Sequence, residues 1–327
     1  KVGSVVMEAS IVKDGISRAK SFMKRLWPQR STAKRSNGVL RIDHDWSIGI
    51  YSGRSPVCFE PPPHFINPVL TSQDVSDVRA SIVADPFMLN VQGIWYMFFE
   101  VLNRDTRKGE IGLATSRDGF TWQYAQIVLA EPFHLSYPYV FEWKDEYYMI
   151  PESNVAKEVR LYKASRFPNG WECVGVLLSG QHFSDSSIVR HGEYWWLFTE
   201  TSISQFDTLR LFYSTSLTGP WREHSSSPII QGDPHIARPA GRIVVHADRI
   251  IRYAQDCSPS YGQRVHAFEI TDLTTSSYAE QRIQNVILDA SGAGWNESGM
   301  HHIDPHLLMD GQWIACVDGR IEVEIRD

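Results

Sequence analysis

Residues 85–100 read Asp85-Pro86-Phe87-Met88-Leu89-Asn90-Val91-Gln92-Gly93-Ile94-Trp95-Tyr96-Met97-Phe98-Phe99-Glu100. An apolar run, a tight turn at Gln92-Gly93 and an aromatic-rich run spell a β-hairpin. The pattern returns without gaps at Tyr137-Pro138-Tyr139-Val140-Phe141, a Lys144-Asp145 turn, and Tyr147-Tyr148-Met149-Ile150-Pro151-Glu152. It returns again at Asp185-Ser186-Ser187-Ile188-Val189, a Gly192-Glu193 turn, and Tyr194-Trp195-Trp196-Leu197-Phe198-Thr199-Glu200. A third strand follows each hairpin, at 111–116, 159–165 and 209–216. Each of these ends in Ser and is followed within five or six residues by Trp122, Trp171 or Trp221. Fourth strands fall at 125–129 and 174–178. Four strands repeating at about 50 residues is the period of a propeller blade.

Two looser copies begin at Arg238-Pro239 and near His302-Ile303-Asp304-Pro305, giving five blades that start near 82, 135, 183, 236 and 301. The last copy runs out of chain, and residues 46–51 are a spare strand at the other end. The expected architecture is all-β: residues 41–327 form a five-bladed β-propeller, with strand 46–51 closing the last blade and removing free edges. Residues 1–40 form a basic arm or linker, and residues 11–27 are the one plausible helix.

Charge divides the chain the same way. Of a net −6, residues 1–38 carry nine Lys/Arg and two Asp/Glu, or +7, which leaves −13 on the rest. An acidic body argues against nucleic acid as the main ligand. Residues 11–35 interleave basic pairs with Phe22, Met23, Leu26 and Trp27. They read either as an amphipathic contact to a membrane surface or partner domain, or as a loosely ordered leader. The four cysteines are widely spaced without a CxxC, which argues against a zinc site or a dense disulfide frame. No apolar run has the length of a membrane span and no secretory pattern is visible, so the expected location is cytoplasmic.

In a ring, all blade starts converge near the axis. With a two-residue turn at 92–93, paired residues sum to 185, which sets Asp85 opposite Glu100. The same arithmetic sets Tyr137 against Glu152 and Asp185 against Glu200. Like charges directly opposite destabilise a sheet, so such pairs suggest proton sharing, a bound cation or hydrogen bonds to sugar hydroxyls. The alternative is solvated blade ends, or Glu residues paired with Arg from a neighbouring blade. His134, His235, Arg238, His302 and Asp304 fall at matching blade starts and make a polar pocket there, as small-ligand sites usually have. Arg252, Gln255, Asp256 and Tyr261 either line that pocket or form an Arg–Asp structural network. No GxSxG, HExxH, Walker or GxGxxG motif competes.

The blade starts and the echo Ser116-Arg117-Asp118-Gly119-Phe120-Thr121-Trp122 resemble the five-bladed glycoside hydrolase superfamily of arabinanases, xylosidases and invertases. More closely, His134-Leu135-Ser136-Tyr137-Pro138, Met149-Ile150-Pro151-Glu152-Ser153 and Ala237-Arg238-Pro239-Ala240-Gly241 resemble the N-terminal propeller of plant glucosamine inositolphosphorylceramide transferases and bacterial relatives. The hydrolase resemblance implies that Asp85 is base or nucleophile and that Asp185 orients the sugar. A Glu at the fourth blade start would be the acid, but Arg238 stands there, leaving Glu152 or Glu200 as substitutes. An Arg at the mouth suits a phosphate or carboxylate on the ligand. The same resemblance implies that His302 helps hold a central calcium ion or a water; no other cofactor is required. A glycosidase-like enzyme acting on a glycan or glycoconjugate is the first expectation. A non-catalytic sugar-binding propeller associated with a glycosyltransferase, or an inverting glycoside phosphorylase, is the alternative.

Overall fold

The computed structural model describes residues 40–326, with side chains from 44 to 323. The arm's helix and its membrane or partner contact therefore lie outside the described residues. By its contacts the chain divides into His44–Glu322, which carries the propeller, and Lys1–Asp43 with Val323–Asp327.

Five antiparallel sheets are present. The first runs Ala80–Val91, Ile94–Asn103, Lys108–Ser116 and Gln123–Leu129 from axis to rim, and the second Ser136–Trp143, Glu146–Ser153, Glu158–Arg166 and Asn169–Ser179. The third and fourth begin at Ser184–His191 and Arg238–Pro239, and their outer edges are split into short pieces. In the fifth, Ile303–Leu307 and Trp313–Arg326 from the C-terminal end join Leu40–Ser55 and Cys58–Glu60 from the other. Residues 46–51 thus lie in the third strand of a blade built from both ends of the chain.

The aromatic strands make the interfaces between blades. Phe87 packs on Tyr137 and Tyr139, Phe141 on Trp195, Phe198 on Tyr278, and His246 on Trp313. The recurring Trp has a local purpose. The indole N–H of Trp122, Trp171 and Trp221 donates to the carbonyl of Gly119, Pro168 and Leu217, which closes the loop into the fourth strand. Asp118 in the first of these loops accepts from the amides of Phe120 and Thr121, so the Ser-x-Asp-Gly echo is turn chemistry.

Between the inner strands the axis is filled by side chains. The Tyr137 hydroxyl lies 2.8 Å from Ser187 Oγ, accepts from the Gly241 amide at 2.5 Å, and is 3.1 Å from the Gly241 carbonyl. Arg242 donates to Asp304 and to the carbonyls of Met88 and Val140. Each contact joins strands from different blades, and Tyr137 and Asp304 are fully buried.

Candidate functional site

The hairpin arithmetic holds from the turn up to Phe87–Phe98, Tyr139–Ile150 and Ser187–Phe198, then fails. A bulge follows in each inner strand, so Ala84, Ser136 and Ser184 oppose Glu100, Glu152 and Glu200. The displaced residues are Asp85, Tyr137 and Asp185, all in left-handed backbone with φ of 53°, 45° and 49°. Non-glycine residues seldom adopt that region. The expected Asp–Glu pairs within one hairpin therefore do not form. A one-residue bulge re-aims the side chain instead.

Two of the freed acids, Glu100 and Glu152, reach toward the next blade. Glu152 Oε2 accepts the Asp185 amide at 3.0 Å. Asp318, at the corresponding end of the fifth blade, accepts the Asp85 amide at 3.0 Å. Glu100 faces His134 Nε2 at 3.3 Å. His134 Nδ1 accepts from the Gly109 amide, so its proton is on the nitrogen that points at Glu100. Two of the strained entries, Asp85 and Asp185, are thus secured by a carboxylate of the adjacent blade, whereas Glu200 accepts from Ser202 of its own blade.

Asp185 Oδ2 accepts from Arg238 Nε at 2.6 Å and Gln255 Nε2 at 2.7 Å, and Arg238 also lies 3.5 Å from Glu152. The guanidinium carbon lies 5.2 Å from the rings of both Phe206 and Tyr261, which pack on each other at 5.4 Å and so flank it from one side. Its Nη1 and the Glu200 Oε2 are buried without a hydrogen-bond partner among the described residues. Tyr261 meets His301 edge-on, and Trp46 stacks on His301 at 4.0 Å, which extends the aromatic wall.

Burial, reinforced by the charges of Asp185, Asp318 and Glu100, pushes the Asp85 carboxyl well above the ordinary carboxylate range, with Arg238 offsetting part. Burial and Asp185 do the same to Glu152, again against Arg238. Burial lifts Glu200 to about 7 despite Arg238 and Ser202. Burial drops His302 to about 4, against the pull of Asp318 and Asp304.

Other expected ligand contacts have their polar atoms engaged by protein. Asp304 is salt-bridged to Arg242 and hydrogen-bonded to His306. Arg252 is forked onto Glu280, not an Asp, under the ring of Phe268. Asp256 accepts from the exposed His235 and faces His266. Asp85, Asp185, Glu152, Glu200, Arg238, Gln255, Tyr261 and His302 are brought together in one largely buried cluster at the inner ends of the blades. Phe206, Trp46, His301 and Asp318 join them. Asp318 offered one signal, its place in the fifth-blade copy matching the Glu residues; Phe206 and Trp46 stand outside the repeat.

Residues 41–320 match the family model described as glucosamine inositolphosphorylceramide transferase 1, N-terminal. The chain belongs to this family. Glucosamine inositolphosphorylceramide transferase 1 of Oryza sativa subsp. japonica is 39% identical over 297 residues, covering 84% of this chain and 40% of that protein. The Arabidopsis thaliana protein of the same name is 36% identical over 298 residues, covering 84% and 39%. The chain thus spans about two fifths of the relatives it matches. Among solved structures, a thermostable family-43 glycoside hydrolase superposes with a TM-score of 0.57 at 12% identity, over 78% of this chain and 92% of that one. An exo-beta-1,3-galactanase, 1,3Gal43A from Clostridium thermocellum, gives 0.59 at 14%, over 80% and 62%. These likenesses establish the fold, an all-β five-bladed propeller.

Proposed function

We propose that the propeller binds a carbohydrate head group at its axial mouth without cleaving it, as the sugar-reading part of a transferase-type protein. The observation that carries this is the Arg238–Asp185 ion pair at the fourth blade start. Two-carboxylate glycoside cleavage needs one ionised and one protonated carboxyl flanking the bond. Here the Asp185 carboxylate is tied up in an ion pair with Arg238 and a hydrogen bond from Gln255. Asp85 is driven toward its protonated form, the wrong state for a base. Glu152 and Glu200 are buried. What remains suits recognition: a carboxyl with about a tenth of its side chain exposed, a cation beside two aromatic rings, and ring faces of the kind that sugars stack on. The relatives' name supports glucosamine or an inositol-phosphate head group as ligand.

A glycosidase-like enzyme is the second reading, favoured by Glu200 near 7, a fitting value for a general acid. Calorimetric titration with glucosamine, inositol phosphate and a panel of oligosaccharides, alongside assays for released sugar with and without phosphate, separates the two. Saturable binding, weakened about ten-fold in Phe206→Ala and without turnover, is expected for a stacking site. Sugar release that Asp85→Asn abolishes would establish the enzyme and overturn the binding role.

A further inference from the structure

We propose that Arg238 Nη1 and Glu200 Oε2 are the donor and acceptor of a subsite for the hydroxyls of a sugar ring, roofed by Phe206 and Tyr261. The inference rests on the sugar-binding reading above and fixes which chemistry of the head group meets these two atoms. Arg238 is 3% exposed and Glu200 not at all. Both atoms lack a hydrogen-bond partner among the described residues. A buried polar atom left unpaired is costly, and two of opposite kind in one cluster call for a common explanation.

The rest of each group is occupied. Nε and Nη2 share one edge of the planar guanidinium, and that edge faces Asp185 at 2.6 Å and Glu152 at 3.5 Å. Nη1 stands at the other corner. Glu200 Oε1 accepts from the amide and hydroxyl of Ser202, so Oε2 is left over. The Arg238 charge pulls the Glu200 carboxyl down, yet no ion pair joins the two groups among the described residues. The group there able to hold a metal ion is Asp85, His301 and Asp318, which includes neither atom.

One unmatched donor beside one unmatched acceptor selects the ligand. A phosphate oxygen accepts; it would serve Nη1 but set its charge against Glu200, Glu152 and Asp185. An ammonium donates; it would serve Oε2 but face the guanidinium. A hydroxyl accepts and donates at once. Hydroxyls of one ring can therefore satisfy both atoms without adding charge to the cluster. The phosphate or carboxylate expected at this arginine from the sequence is disfavoured, because Asp185 and Glu152 already hold its fork.

Phe206 and Tyr261 control access. Phe206 lies in the loop 201–207 of the third blade and Tyr261 in the loop 257–263 of the fourth. Both are only partly buried, while the guanidinium 5.2 Å from each ring is almost completely so. Phe206 has a φ of 56°, a costly backbone for a bulky residue. Its amide donates to the Ser202 carbonyl, and Ser202 in turn hangs on Glu200 Oε1. One carboxyl thus roots the loop that carries the roof and offers the acceptor beneath it. The loop must swing for a sugar to reach Oε2.

Calorimetric titration of the whole chain with glucosamine and with myo-inositol, then with monodeoxy and monofluoro analogues of whichever binds, reads the subsite. At one ring position both replacements should weaken binding about ten-fold or more, since a C–F bond cannot donate to Oε2. Glu200→Gln keeps the Ser202 contacts through its carbonyl and puts an N–H donor in the place of Oε2. In that variant the gap between hydroxyl and fluoro compounds should close to about three-fold or less, which lost packing alone would not produce. If Glu200→Gln does not fold by circular dichroism, the analogue series on the unaltered chain decides alone. Fluoro analogues that bind as well as the unmodified sugar at every position, an unchanged gap in folded Glu200→Gln, or displacement of the sugar by inorganic phosphate would each overturn this subsite and leave the sugar-binding role standing. Saturable binding of neither sugar would overturn that role itself, and the subsite with it.

Discussion

Asp85, Tyr137 and Asp185 share a left-handed backbone that the aligned hairpins gave no hint of. Their identities were legible in the sequence because they repeat. Their orientation was not, because one extra residue in a strand changes which neighbour faces the chain without changing the apolar pattern. The same slip sends Glu200 inward, where it is completely buried and its Oε2 has no hydrogen-bond partner among the described residues. Its carboxyl is raised to about 7, so the folded state favours the neutral form. Unfolded chains release that proton near the ordinary glutamate value. Between those two values the folded protein binds more protons, and stability falls as pH rises. Below the window both states are protonated and the penalty vanishes; above it the penalty is complete. Glu200→Gln removes the charge, so its stability advantage over the parent should grow between about pH 4.5 and 7. The gain should reach at most about 3 kcal/mol, as read by urea unfolding at several pH values. Parallel curves for the two proteins would mean that Glu200 does not ionise in this way.

At the scale of elements, the blades could be read off because each is a local unit of strand, turn and aromatic strand. What joins one blade to the next could not, since those contacts pair residues with no sequence relation to each other. Glu152 is the example. It ends the second strand of the second blade, yet it accepts the amide of Asp185 in the third and lies beside Arg238 of the fourth. Burial and Asp185 push its carboxyl up, against Arg238, so its neutral form is favoured relative to an ordinary glutamate. Glutamine keeps the carbonyl acceptor and a donor on the same skeleton. Glu152→Gln should therefore cost less than about 1 kcal/mol, whereas Glu152→Ala leaves the Asp185 amide unpaired and opens a cavity, a loss of about 2–4 kcal/mol. Denaturant midpoints for the two variants measure the difference. Equal losses would show that side-chain volume, and not the polar latch, joins these blades.

For the molecule as a whole, the decisive place is the axis, where four of the five blades meet at one glycine. Gly241 donates to and lies against the Tyr137 hydroxyl of the second blade, and its carbonyl accepts from Ser187 of the third. It also bridges in parallel to Ile303 of the fifth. Its φ is +130°, and a Cβ there would stand 1.8 Å from the Ile303 carbonyl oxygen. The oxygen belongs to backbone and cannot swing away, so room could be made only by moving two blades apart. Gly180 provides the control: its φ is +102°, but a Cβ there meets nothing within 4 Å. Both substitutions to alanine carry the left-handed backbone penalty of about 1–2 kcal/mol, and only one adds the axial collision. Gly180→Ala should unfold slightly earlier than the parent, while Gly241→Ala should lose more than about 4 kcal/mol or fail to accumulate as folded protein. Similar thermal midpoints for the two would mean that the ring is not held at its axis, and that the shared mouth built on that axis lacks the rigidity its polar network requires.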